Sequence, residues 1–198
     1  MRRLILAIAL LIPTAATAGV DFSPKDNTLT ISGPTTGWQA IQVAGYVSTG
    51  KVQRVIMWGD GGDYYAGLTI GRLLKEVNPL VIIPGGKRCV SACAFGALGG
   101  KFVVVNGTMW FHRPYLTQVS THFGIEEIAG QFGKAYIDAV DFVVRMGYPI
   151  DFARNIINDT SPCKYMVIER TDQLRSMRGD VLDKVRKAYR IDDRCPKR

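Results

Sequence analysis

Three short segments of this chain carry residue types suited to chemistry, and each follows a stretch that reads as a β-strand. Gly61 and Gly62 lie in the turn Gly59-Asp60-Gly61-Gly62-Asp63, where glycine backbones adopt φ values and close approaches that are costly to other residues and can expose N–H groups. Ser91 stands between the loop Pro84-Gly85-Gly86-Lys87-Arg88 and a run of small residues suited to a buried helix. Unpaired N–H groups and the positive end of a helix dipole favour a developing negative charge at such a junction. His112 follows Met109-Trp110-Phe111, a strand that would hold its imidazole on a rigid element. Ligands of parallel α/β sheets bind at strand ends of this kind. Ordinary roles are open to all three: a glycine pair can be only a turn, a serine only an N-cap, and a histidine only a hydrogen-bonded structural residue.

The elements that must position them follow from periodicity. Leu29 to Ser32 alternates and ends at Gly33-Pro34, which reads as a strand, and Gly37 to Val47 has near-helical apolar spacing. Val52 to Trp58 is a nearly continuous apolar run, as in a buried strand. A helix is predicted over Tyr64 to Glu76, then a strand from Leu80 to Ile83 and a helix over Cys89 to Leu98 stopped by Gly99-Gly100. Two further strands, Phe102 to Val105 and Met109 to Phe111, flank Asn106-Gly107, a favoured turn pair. The second half is mainly helical: Ile125 to Met146 with a possible break, Ile150 to Ile157, a strand Tyr165 to Ile168, and helical turns from Thr171 and Asp180. Strand and helix alternate through the first half, which predicts an α/β fold with a largely parallel sheet.

The amino terminus has its own logic. Met1-Arg2-Arg3, the apolar stretch Leu4 to Ile12, Pro13 and the small residues ending Ala16-Thr17-Ala18 have the layout of a secretory signal peptide cleaved after Ala18. The apolar run is short of the roughly 20 residues that span a bilayer. No later stretch is long and apolar enough to do so, and no stable membrane insertion is expected after cleavage. The reading is therefore residues 1–18 as signal peptide and 19–198 as one domain, periplasmic or secreted. Of 198 residues 47% are hydrophobic and 21% charged, which excludes disordered, collagen-like and coiled-coil classes. The net charge of +8 is scattered, with no aromatic and basic stripe, so nucleic acid is not an expected partner. Four cysteines in an oxidising compartment favour disulfides. Three pairings are open, and Cys89 with Cys93 and Cys163 with Cys195 is the division favoured here. Cys-x3-Cys without a nearby histidine or a second close pair is a poor zinc site, so no metal is expected.

Taken in order, these segments resemble the Clp-protease-like members of the ClpP/crotonase superfamily, in particular exported bacterial Clp-like proteins. The residues that carry the resemblance are Gly61-Gly62-Asp63-Tyr64-Tyr65-Ala66-Gly67-Leu68-Thr69-Ile70, Cys89-Val90-Ser91-Ala92-Cys93-Ala94 and Phe111-His112-Arg113-Pro114. The resemblance implies a superhelix of β-β-α units with a largely parallel sheet and a helical C-terminal half. It also implies a serine hydrolase, with a peptide or protein as substrate. Ser91 would be the nucleophile and His112 the general base, and backbone N–H groups of Gly62, Ala92 and, less readily, Gly61 would hold the oxyanion. The family's aspartate aligns near Cys163 to Tyr165, where this sequence has no acid. Asp159 is the nearest candidate, and Asn158 or a backbone carbonyl are other ways to orient the imidazole. Asp60 and Asp63 also depart from the family's usual residues beside the glycines.

Other readings compete. Related peptidases use a serine and a lysine, and Lys134 on the helix from Ile125 is the lysine to consider, provided it is desolvated. His122 reads as a loop residue. A catalytically silent scaffold of the same fold, binding peptides or partner subunits, is the alternative that the missing acid and the bulky Tyr64 and Tyr65 favour. Crotonase-type enolate chemistry would need coenzyme A, which is not expected outside the cytoplasm, so no cofactor is expected. The heavily apolar helix Ile125 to Met146, with Tyr136, Ile137, Val140, Phe142, Val143 and Val144, suits either a homo-oligomer surface or the monomer core.

Overall fold

The chain passes repeatedly between two sheets, as seen in a computed structural model that describes residues 19–115, 125–177 and 189–193. The first sheet has strand order β1-β2-β3-β4-β6, from β1 (Gly19–Ser23), β2 (Thr28–Ser32), β3 (Arg54–Trp58), β4 (Leu80–Ile83) and β6 (Phe102–Val105). Its β2, β3, β4 and β6 run parallel, and β1 adds antiparallel to β2. The second sheet has order β5-β7-β8-β9, from β5 (Arg88–Val90), β7 (Thr108–Phe111), β8 (Tyr165–Ile168) and β9 (Arg190–Asp192). There β5 and β7 are parallel, with β8 and β9 antiparallel. Two successive units, β4-β5-α3 and β6-β7-α4, each place one strand in each sheet before a helix, where α3 is Ala92–Ala97 and α4 is Ile125–Arg145. The expected α/β architecture of β-β-α units with a mostly parallel sheet and a helical C-terminal half is the one present.

Local chemistry explains the elements that the sequence announced. Helix α1 (Gly37–Val47) starts where the Thr36 side chain accepts from the Gln39 N–H, and it buries Gln39, Ala40, Val43 and Val47 on one face. Helix α2 (Tyr64–Val77) starts at Asp63, whose carboxylate accepts from the Ala66 N–H at 3.0 Å, and stops at Asn78 with φ of 49°. Helix α4 is continuous, without the break allowed for between Ile125 and Met146. Its Ala135, Ala139, Phe142 and Val143 are buried, as is Met146 just beyond its end, while Ile137 and Val144 are exposed. After α5 (Ile150–Asp159) come β8 and α6 (Thr171–Met177).

Three expectations need correction. Cys89 and Val90 belong to strand β5, not to a helix, and α3 begins only at Ala92. Cys89 and Val90 pair with Met109 and Trp110, a contact that local sequence does not reveal. Asn106-Gly107 does not turn β6 back upon itself; it hands the chain from one sheet to the other, with Gly107 against the Lys87 and Pro84 carbonyls. Strands β1 and β9 were not anticipated. The signal-peptide segment, His122, Cys195 and the helical turns from Asp180 lie outside the described residues.

Candidate active site

The glycine turn after β3 is clamped by one residue. The Thr35 N–H donates to the Gly61 carbonyl at 2.7 Å, and the Thr35 carbonyl accepts from the Asp63 N–H at 2.9 Å. Gly61 and Gly62 thereby take φ of +88° and +146°, conformations open to glycine. Among the described residues no backbone acceptor takes the N–H of Gly61 or Gly62. A Cβ on Gly61 would fall 2.8 Å from the Ser91 Cβ and 3.4 Å from the Ala92 nitrogen, so the turn and the serine are in direct contact.

Ser91 is the pivot between β5 and α3. Its φ of 54° and ψ of −120° are unusual for a residue with a side chain. Positions held in such conformations cluster at functional sites, because the surrounding structure must over-determine them. Here it does. The Ser91 N–H donates to the Trp110 carbonyl at 2.7 Å, its carbonyl accepts from the Phe95 N–H at 3.0 Å, and a disulfide joins Cys89 to Cys93 across it. The Ser91 hydroxyl makes no capping bond to α3, so the ordinary N-cap role is not the one it plays. Ala92, first in the helix, has no intrahelical acceptor for its N–H. Helix α3 lies close because Gly67 of α2 faces the Ala92 backbone and Gly71 faces Gly99, with no side chain between them.

His112 enters from the end of β7 and is 6% exposed. Its Nδ1 is 2.8 Å from the Arg113 carbonyl oxygen. A carbonyl only accepts, so Nδ1 carries the proton and the neutral ring has its lone pair on Nε2. Burial pushes the imidazole below its usual 6.5, and the bond to Arg113 opposes part of that shift. The rings of Tyr115 and Tyr165 pack at 5.2 and 5.3 Å from it. The Arg113 N–H in turn donates to Thr160 Oγ1 at 2.7 Å.

Gly61, Gly62, Ser91 and His112 all line one cavity of about 870 Å³, walled also by Tyr64, Phe95, Phe132 and Tyr165. Tyr64 is wall rather than obstruction: its ring meets Phe95 edge-on and its hydroxyl donates to the Ala135 carbonyl. Asp63 is spent on capping α2, and Asp60 pairs with Arg88 at 2.7 Å in an exposed ion pair.

Two candidate residues stand apart from this group. The Asp159 carboxylate accepts from the Tyr189 hydroxyl at 2.9 Å and lies outside the cavity lining, while the imidazole nitrogen it would orient is taken by Arg113. Lys134 reaches the cavity rim, but its ammonium bonds Asp138 at 2.6 Å, its side chain is 68% exposed, and the Asp138 bond pushes its pKa up. A lysine so solvated and paired stays protonated and is no base near neutrality. Thr35 and Thr160 were not given a role from sequence, and Arg113 entered only as part of Phe111-His112-Arg113-Pro114; Pro114, which restricts the backbone of the preceding residue, was the local signal there. Of the favoured disulfides, Cys89–Cys93 is formed, and Cys163 is disulfide-bonded, with Cys195 outside the described residues.

The fold and site define a two-sheet α/β protein with a strained serine elbow, a glycine turn and a buried histidine at one cavity. Solved structures share that frame: the chain has the ClpP-like fold. It superposes on a ClpP1 mutant from Listeria monocytogenes with a TM-score of 0.58 and 15% identity, covering 82% of this chain and 96% of that one. A serine-to-alanine mutant of the 1510-N membrane-bound stomatin-specific protease matches at TM-score 0.54 and 15% identity, over 80% of this chain and 81% of that one. A lysine-to-alanine mutant of the same protease, in complex with a substrate peptide, matches at 0.55 and 16%, over 80% and 77%. No family model and no curated protein matches the sequence.

Proposed function

We propose that this chain is an exported serine hydrolase, a peptidase, with Ser91 as nucleophile and His112 as general base. The observation that carries the reading is the Ser91 elbow, an uncapped hydroxyl on a residue with φ of 54°, lining the same cavity as a histidine that presents Nε2 as its lone pair. In the forward step Nε2 takes the Ser91 Oγ proton while Oγ bonds the scissile carbonyl carbon. The carbonyl oxygen becomes an oxyanion, received by the N–H groups of Gly62 and Ala92, with Gly61 as the less favourable donor. Collapse expels the amine with the proton from Nε2, and water, activated by the same nitrogen, frees the acyl group from Ser91. One preorganised oxyanion donor is worth about 3 kcal/mol of transition-state stabilisation. The relatives of similar fold include a protease solved with a substrate peptide, which supports a peptide or protein as the substrate class here.

Export is supported by the leader-like start of the sequence and by the Cys89–Cys93 disulfide, a bond favoured in oxidising compartments. No helix among the described residues is long and apolar enough to cross a membrane. The test is covalent labelling with a fluorophosphonate. Wild type is expected to label at Ser91, as located by peptide mass mapping, and Ser91→Ala to lose the label with an unchanged melting curve. A folded wild-type protein that takes no label would replace this reading with the silent scaffold.

A further inference from the structure

The imidazole is held by a relay with no carboxylate in it. His112 Nδ1 donates to the Arg113 carbonyl at 2.8 Å, and the Arg113 N–H donates to Thr160 Oγ1 at 2.7 Å. The Thr160 hydroxyl gives its own proton to the Ile156 carbonyl in the last turn of α5. Thr160 is 3% exposed, so water does not substitute readily for any of these bonds. Arg113 is fixed from the other side too, because the residue before a proline is confined to extended backbone, and Pro114 follows. Its carbonyl therefore points in one direction, set at one end by a buried hydroxyl and at the other by a ring constraint. The residue that ties this assembly to the body of the protein is the C-cap of α5, 47 positions along the chain.

We propose that Thr160 is a positioning residue for the base: through Arg113 it fixes the Nδ1–H tautomer and the orientation of His112, in the place where an acid would otherwise act. This rests on the hydrolase reading for its catalytic consequence, but the tautomer it specifies does not. When Ser91 Oγ gives its proton to Nε2, Nδ1 keeps its own, and the Arg113 carbonyl dipole stays aligned with the imidazolium. No proton passes along the relay. Thr160 Oγ1 has a full role, accepting from Arg113 and donating to Ile156, which a valine of the same shape cannot fill and a serine can.

The experiment combines nitrogen NMR of the full chain, which has two histidines, with fluorophosphonate labelling of Thr160→Val and Thr160→Ser. His112 in wild type is expected to show protonated Nδ1 and unprotonated Nε2 above its pKa, with the Nδ1–H slow to exchange. Thr160→Ser should keep that signal and the labelling rate. Thr160→Val should lose the slow exchange and label on the order of 100-fold more slowly, as expected of a misplaced base, with the pH midpoint shifted and probe affinity little changed. Wild-type His112 in the Nε2–H tautomer overturns the proposal without any variant, which keeps it falsifiable if Thr160→Val does not fold. So does a folded Thr160→Val with unaltered exchange and rate. A wild type that never labels yet holds the Nδ1–H tautomer, with Thr160→Val releasing it, removes the hydrolase reading and leaves the relay in place.

Discussion

A methyl group added at Gly61 tests whether the glycine turn and the nucleophile share one wall. Gly61 has φ of +88°, and an alanine there takes on the cost of left-handed backbone, about 1–2 kcal/mol. Its Cβ would also arrive 2.7 Å from the Val90 carbonyl oxygen and 2.8 Å from the Ser91 Cβ. Both neighbours are at the elbow, so relief requires the elbow itself to move, and overpacking of this kind costs a further 1–3 kcal/mol or about that. Gly86 provides the control. It has φ of +71° but open space where a Cβ would go, so Gly86→Ala carries the backbone cost alone. For a domain of this size about 1 kcal/mol corresponds to roughly 2–4 °C in Tm. Gly61→Ala is therefore expected to melt roughly 2–12 °C below Gly86→Ala by circular dichroism. It should label Ser91 on the order of 100-fold more slowly, because the hydroxyl is displaced, while Gly86→Ala labels like wild type. Equal melting and equal labelling of the two variants would refute the reasoning, since it depends on Gly61 touching Ser91.

Acid should silence the site late. Burial lowers the His112 pKa below 6.5, so the labelling rate is expected to fall with a midpoint below that value; a midpoint above it would contradict the buried imidazole. The same shift enters stability: between the folded pKa and 6.5 the unfolded chain binds more protons, so this group's contribution is whole above 6.5 and declines as pH falls towards the folded value. Urea titrations between about pH 5 and 7, compared with His112→Gln, measure that slope. Replacing both cysteines in Cys89→Ala/Cys93→Ala opens a ring whose ends are four apart in sequence. The chain-entropy cost of so short a loop is about 2 kcal/mol, or roughly 4–8 °C. Labelling should slow as well, since the Ser91 backbone loses its cross-tie; undiminished labelling would show that hydrogen bonds to Trp110 and Phe95 suffice.

The candidate site was partly legible because its members occupy positions that local chemistry marks. Gly61-Gly62 follows an apolar strand, Ser91 precedes small residues, and His112 ends a strand. Asp159 was the weak member for a clear reason: the sequence shows which acids exist, not which hydrogen bonds they already make, and Tyr189 takes its carboxylate. Lys134 likewise looks available until Asp138 is seen one helical turn away, on a solvated face. The relay through Arg113 and Thr160 left almost no trace, because backbone groups have no letter of their own and a lone threonine is chemically silent.

By itself the sequence determined the helices α1 and α2, the strands β2, β3, β4, β6 and β7, and hence the alternation that specifies an α/β fold. Those signals are local: caps, turns and apolar periods act between residues within a few positions of one another. Only the tertiary structure decided that Cys89 and Val90 join a second sheet, that Ser91 is bent into an elbow, and that a carbonyl and a threonine hold the histidine. Each of these depends on a partner far along the chain, and the geometry of such a meeting exists only once both segments are packed against the same core.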